Sequence, residues 1–492
     1  MTKYIIIYVN LLLLALVSPI HSTYTPYDML FLDYQSITGL YGSRSSGLGG
    51  AFTAVADDPS GAYYNPAGLI FSPNDSLSIS GNAYRLLTMY YQDVEGPGRS
   101  YLRKSEDFFP NFIGATRQLS QKVSFSLSYV NTKRRDTNST VWVTNPVYRP
   151  DLERISSTVS EYSNEFMVGP SLSYKIKDNL SIGASLYYLR HFTKNAVTDT
   201  YNFTDKTWEE YIINEQKKVS GYNPVVGLMY MPTEKLSLGV SIQKKYVVGG
   251  TRNNNLLDLT SSTLSSDDAY YVYGSPHSLN GVYQNKLSYL TPLTATIPQT
   301  SELRMGIAYF LSHKVLFSFD YIKISGYSKK KNQYEFITYE DIPQFIYYGN
   351  KEYETYRKPT ENFAVGTELD ILPFLTLRMG FFTNFSSNQK RGWIESMVET
   401  VVRQEIIPLG IAEDKNLSVL YFPTKLIRPY YADYSSPKGY TLGISFTGTA
   451  AVFTFTHIRE IGNDMTFYYP TNPPVNLYYK NQVYNISITT RN

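Results

Sequence analysis

Lys235-Leu-Ser-Leu-Gly-Val-Ser-Ile-Gln-Lys-Lys-Tyr-Val-Val248 sets Leu236, Leu238, Val240 and Ile242 against Ser237, Gly239, Ser241 and Gln243. Successive side chains of a β-strand point to opposite faces, so period two with one apolar set predicts a half-buried strand. The same alternation recurs in Val123/Phe125/Leu127/Tyr129, Leu180/Ile182/Ala184/Leu186 and Val315/Phe317/Phe319/Tyr321. It recurs again in Leu375/Leu377/Met379/Phe381 and in Tyr440/Leu442/Ile444/Phe446. With weaker neighbours these make fourteen strand-like stretches. They are Leu77–Tyr91, Pro110–Gln118, Lys122–Thr132, Glu161–Tyr174, Leu180–Phe192, Val219–Met231, Lys235–Val248, Ser301–Ser312, Lys314–Ser325, Thr360–Ile371, Phe374–Ser386, Lys438–Thr447, Ala450–Ile458 and Gln482–Thr490.

Each stretch alone fits a soluble sandwich as well as a membrane sheet. The connections separate the two. Every second link is very short: Leu119–Gln121, Ile176–Asn179, Pro232–Glu234, His313, Leu372–Pro373 and Gly448–Thr449. The links between them are long: Arg134–Ser160, Thr193–Lys218, Gly249–Thr300, Gly326–Pro359, Ser387–Pro437 and Arg459–Asn481. Sorting by parity is expected of a barrel with short turns at one rim and long loops at the other. The expected fold is therefore all-β, a 14-stranded antiparallel transmembrane β-barrel. Eight strands leave a bore that side chains fill, and sixteen or more leave an aqueous channel. Fourteen fall between, so an N-terminal hatch inside the lumen is expected as a stopper.

Composition agrees. The chain has 492 residues, 18% charged, with 47 tyrosines, a net charge of +3 and no cysteine. The absence of cysteine excludes disulfide frameworks and thiolate metal sites, and the small net charge gives no nucleic-acid footprint. Met1–Ser22, basic at Lys3 and apolar from Tyr4 to Val17, reads as a cleaved export signal. No later window approaches the ~18 apolar residues of a spanning helix. The expected domains are residues 1–22 as signal, 23–76 as hatch and 77–492 as barrel.

The hatch region contains the one stretch dominated by small residues, Ser43 to Leu69. Gly49 to Ala56 is read as a short helix stopped by Asp57-Asp58-Pro59, and Asn65-Pro66-Ala67 as a turn or a new helical start. Ser45-Ser46-Gly47-Leu48-Gly49, the pair Asp57-Asp58 and Asn65-Pro66-Ala67 together resemble the N-terminal hatch of the FadL-type outer-membrane long-chain fatty acid transporters. The resemblance implies a plugged outer-membrane barrel, located there by its signal and surrounded by outer-membrane lipid. It implies passive diffusion of long-chain fatty acids or similar hydrophobic small molecules, without a cofactor and as a monomer. In that family the ligand is captured at outer loops and leaves sideways beside a kinked third strand. Here the third stretch, Lys122–Thr132, has no Gly or Pro. Breakers stand instead at Gly169 and Pro170 and at Gly221, Pro224 and Gly227, the candidate wall kink. A related group shares the Gly-rich start and serves as a surface-protein assembly or secretion platform, so that second reading stays open.

Catalytic signatures are missing. There is no G-x-S-x-G, no H-E-x-x-H and no phosphate loop, and His21, His191, His277, His313 and His457 share no spacing. A non-enzyme with no metal site is expected. Trp208, Tyr211 and Ile212, and separately Ile394, Met397, Val398 and Val401, recur at helical spacing. They are read either as local loop packing or as an outer landing surface for the ligand. Arg304, Asp320, Glu368, Asp370 and Arg378 fall on the non-lipid parity of their strands, as a lumen network that anchors the hatch or lines the path.

Overall fold

The computed structural model describes residues 40–93, 97–98, 100–145, 152–261, 278–279, 282–289, 293–294, 296–339, 342–387, 412–413, 420–421, 435–466 and 475–490. A single antiparallel sheet of 14 strands closes on itself. The strands are β1 (Asp75–Tyr91), β2 (Tyr101–Ser120), β3 (Val123–Thr144), β4 (Leu152–Lys177), β5 (Leu180–Phe203), β6 (Trp208–Thr233) and β7 (Leu236–Lys244, continuing as Tyr246–Ser261). They continue as β8 (Ser301–Ser312), β9 (Val315–Ile324, then Tyr327–Tyr339), β10 (Ile342–Arg357, then Thr360–Leu372), β11 (Leu375–Thr383), β12 (Lys438–Thr447), β13 (Ala451–Thr466) and β14 (Val475–Thr490). β14 pairs with β1 from Thr489 opposite Ser78 to Leu477 opposite Tyr91, which closes the ring and leaves no sheet edge along that seam.

The sheet is inside out relative to a water-soluble fold. Leu172, Ile182, Leu228, Val240, Ile307, Phe319, Val365, Met379 and Leu442 all stand exposed on its exterior. Ser124, Ser126, Ser173, Ser181, Ser237, Ser318, Thr441 and Ser445 are buried on its interior. On β6 the exposed Tyr222 and Tyr230 bracket Val226 and Leu228. Eight steps at ~3.3 Å separate the two rings, about 26 Å along the strand and about 20 Å along the membrane normal at a tilt of roughly 40°. That is the order of the apolar band of a membrane barrel.

All fourteen expected strands are present in order, but several outer connections are not the loops expected. β3 and β4 continue to Thr144 and back from Leu152, β5 to Phe203 and β6 from Trp208. Arg134–Ser160 and Thr193–Lys218 are thus mostly strand, extending beyond the lipid band. These extensions lie beyond the apolar band, so lipid does not enforce on them the alternation that marks the lower halves.

Residues 40–72 lie within the ring. α1 (Ser43–Gly47), α2 (Gly61–Tyr64) and the 3-10 helix Pro66–Phe71 are their regular elements, and nearly every residue is buried. The helix expected over Gly49–Ala56 is absent; α1 ends before it, and Gly49 and Gly50 adopt positive φ values of 66° and 86°. Asn65 accepts a hydrogen bond from the Ala67 amide at 3.1 Å and caps the 3-10 helix, with Pro66 at its first position.

Charge placed on the apolar exterior should cost what lipid charges elsewhere cost. Ile242→Arg is expected to destabilise the folded barrel by about 2–4 kcal/mol, whereas Ser241→Ala, one residue away on the interior, leaves membrane insertion intact. Denaturant-dependent refolding into lipid vesicles measures both.

Candidate functional site

The interior segment is held by wall side chains arriving from all round the barrel. The Ser237 hydroxyl donates to the Ala54 carbonyl at 2.7 Å and Ser241 to the Tyr64 carbonyl at 2.6 Å. Ser185 donates to Ala62 at 2.7 Å, and Ser173 and Ser181 both donate to Ala67 at 3.0 and 2.8 Å. Thr441 donates to Gly47 at 2.7 Å, Asn111 to Leu40 at 3.1 Å and Gln118 to Ile70 at 3.1 Å. Each wall hydroxyl meets a carbonyl that its own helix or turn leaves unpaired, and each such bond is worth roughly 0.5–1.5 kcal/mol.

Charged groups add two firmer anchors. Asp320 on β9 accepts from the Phe52 and Thr53 amides at 3.1 and 3.0 Å and from the Thr53 hydroxyl at 2.5 Å. Arg44 in α1 grips Glu368 on β10 with two bonds of 2.9 and 2.7 Å, and its Nη1 reaches Asp57 at 2.6 Å. Arg378 on β11 shares Glu368 at 2.5 Å. The neighbouring Asp58 accepts from the Ser60 amide and hydroxyl, an Asx turn; burial pushes its carboxyl above the usual range against the pull of those bonds. Arg304 pairs with Glu302 and lies over the rings of Tyr63 and Tyr64 at 6.0 and 5.2 Å. Asp370 stands apart, half-buried near the short-turn rim and bonded to Thr376 at 2.6 Å.

Gly227 has a different role from the one expected. It pairs in unbroken register with Gly183 and Ser241, so it bends nothing. A Cβ there would fall 2.0 Å from the Asn65 side-chain oxygen, so its missing side chain is the seat of Asn65. Gly183 against Pro66, Gly239 against Thr53 and Gly380 against Gly49 are seats of the same kind. Gly169-Pro170 and Asn223-Pro224 each interrupt one ladder by two pairs without shifting register. Gly221 does sit at a register shift, where β6 steps by one residue against the upper part of β7. Trp208, Tyr211 and Ile212 lie on strand β6, which corrects the helical reading, and Trp208 and Ile212 are half-buried. Ile394, Met397, Val398 and Val401 lie outside the described residues, as does the expected signal Met1–Ser22.

Beside the segment is a cavity of about 120 Å³. Leu40, Tyr41, Phe109, Phe382, Ile458 and Val483 give it apolar walls, and Arg85, Lys133, Arg134 and Glu460 give it charge. Next to it the wall is split. The β2–β3 ladder stops at Phe112 opposite Val130. Above that point β2 pairs with β1 and β3 pairs with β4, but not with each other. Both strands are irregular at that level: between Asn131 and Lys133 the register of β3 shifts against β4, leaving Thr132 as an extra residue, and β2 shifts against β1 between Phe112 and Pro110. The Thr132 carbonyl accepts from the Tyr41 hydroxyl at 3.2 Å. The third strand is bent after all, by an inserted residue of no special type.

A FadL homologue of Pseudomonas aeruginosa aligns over 93% of this chain and 99% of its own, with a TM-score of 0.55 and 13% identity. The Pseudomonas putida toluene transporter TodX aligns over 93% and 100%, with a TM-score of 0.53 and 12% identity. The Ralstonia pickettii toluene transporter TbuX aligns over 92% and 98%, with a TM-score of 0.53 and 12% identity. The chain has the FadL-type fold. No family model and no curated protein matches the sequence.

The Asp320 anchor is testable apart from any activity. Asp320→Ala strands two buried amides and the Thr53 hydroxyl, each at a cost of about 1–3 kcal/mol. Limited proteolysis should then cut within residues 40–72 of the folded barrel, which the unaltered protein resists.

Proposed function

We propose that this chain is a passive channel of an outer membrane, admitting long-chain fatty acids or similar hydrophobic small molecules and releasing them sideways into lipid. One observation carries the reading: a filled bore beside a split wall. Residues 40–72 block the straight path through contacts with the wall from β1 to β13. The cavity instead runs to the side where β2 and β3 have parted. A solute leaving that way need not disturb the buried Arg44–Glu368 and Asp320 bonds. The lining suits an amphipathic guest, with apolar surface from Phe109, Phe382 and Ile458 beside the charges of Arg85 and Arg134. The shared fold with proteins named as a FadL homologue and toluene transporters supports a hydrophobic cargo and an outer-membrane location. Residues 40–72 act as the hatch, and a single closed ring needs no second copy to complete it.

Cells producing the protein in their outer membrane should take up labelled oleate or toluene faster than cells without it. The chain has no cysteine, so Ser105→Cys with Asp136→Cys places a unique thiol pair across the split, where the Ser105 hydroxyl contacts the Asp136 carbonyl. A short cleavable thiol cross-linker should suppress that uptake, and cleavage should restore it. Uptake indifferent to the protein, with a secreted protein co-purifying, would instead favour a docking platform.

A further inference from the structure

We propose that Arg134 is the gate of the split between β2 and β3 and sets the size of solute that leaves through it; this rests on the sideways route proposed above. Above Phe112 and Val130 the described residues of the two strands show no backbone pairing with each other. Side-chain contacts cross the parting, two of them close to the cavity. One is the Ser105 hydroxyl on the Asp136 carbonyl. The other is the Arg134 guanidinium over the Phe109 ring, 5.6 Å from its centroid.

The second link belongs to a longer row. Arg85 of β1 lies 5.7 Å from the same Phe109 ring, and Arg134 also lies 5.6 Å from the Tyr162 ring of β4. Arg85, Phe109, Arg134 and Tyr162 thus tie β1, β2, β3 and β4 together by alternating cations and rings where the ladder fails. Phe109 is only 4% exposed, and both it and Arg134 line the cavity. Moving Arg134 therefore uncovers the ring and joins the cavity to the lipid in one step.

The way Arg134 is held suits a gate better than a strut. The carboxylates at hand are held more closely by other arginines: Asp107 by Arg85 at 3.3 Å, with Arg134 a weaker attraction, and Glu161 by Arg135 at 3.2 Å. The Arg134 Nε is buried and makes no hydrogen bond among the described residues. Ring faces attract a guanidinium without fixing it as a bidentate carboxylate does. A passing apolar or aromatic solute offers Phe109 a replacement neighbour, while the long Arg stem lets the charge swing toward water. A solute larger than the space cleared by that swing is held back.

The test compares uptake of toluene, naphthalene and pyrene by cells carrying the full chain, with heat-modifiable gel migration confirming folded barrel. Arg134→Met keeps the stem and removes the charge; Phe109→Leu removes the ring. Each is expected to raise pyrene uptake relative to toluene by about three-fold or more, as loss of the one cation–π contact that crosses the split allows. The double variant should gain little beyond either single one, because both remove the same link. If Arg134→Met does not reach the folded band, Arg134→Lys, which retains charge without the stacking plane, carries the same comparison with a smaller gain. An unchanged pyrene-to-toluene ratio, with the cross-linker between the Ser105→Cys and Asp136→Cys thiols still blocking uptake, overturns the gate while leaving the exit standing. Uptake that the cross-linker leaves untouched removes the exit itself, and the gate with it.

Discussion

Lipid cannot hydrogen-bond to a peptide group, and the rest of the structure follows from that constraint. A sheet in such a solvent has to close, so that every amide and carbonyl finds a partner within the wall. Its outer side chains must be apolar, as Leu172, Val240 and Phe319 are, which sends the polar residues inward. A soluble protein buries its greasy face; here the buried face is lined with serine, threonine and glycine.

That polar lining decides what can fill the bore. An apolar core would leave the hydroxyls of Ser173, Ser181, Ser185, Ser237 and Ser241 unsatisfied, at a cost of several kcal/mol in sum. A segment of short helices and turns exposes backbone carbonyls in many directions, and those hydroxyls meet them. Small residues make the fit possible on both sides: Ser45, Gly47 and Gly49 on the segment, Gly183, Gly227 and Gly380 on the wall. The Arg44–Glu368 and Asp320 contacts then fix its orientation, since bidentate and charge-assisted bonds are directional where packing is not.

The legible part of the fold in the sequence was the part that touches lipid. Leu236 to Gln243 alternates because one side of β7 faces lipid and the other the segment, and all fourteen such stretches became strands. The outer half carried no such signal. Trp208, Tyr211 and Ile212 took helical spacing by chance on a part of the strand that lipid does not reach. Gly227 was visible but ambiguous, because an inward glycine marks a bend or a close approach equally well, and only Asn65 resting against it decides. The inward parity of Gly183, Gly227, Gly239 and Gly380 was an available hint of a close neighbour. The bulge at Thr132 had none, since neither Gly nor Pro makes it.

The split between β2 and β3 can be placed against the lipid by counting along β3. From Val123 at the short-turn rim to Val130, seven steps of ~3.3 Å give about 23 Å of strand and about 18 Å of height at a tilt near 40°. The apolar band is about 25 Å tall, so the strands part while still within its outer portion rather than above it. Backbone groups exposed there would be costly, which makes the Ser105–Asp136 bond and the Arg85–Phe109–Arg134–Tyr162 row necessary replacements for the lost ladder. Side-chain contacts differ from a ladder in one respect that matters for passage. A ladder opens only by separating strands cooperatively, whereas a stacked guanidinium opens by a rotamer change. On the proposed sideways route, the wall keeps its outline and still releases a solute through that exchange at one short interval, with pairing kept from Phe112 to Ser120 beneath it.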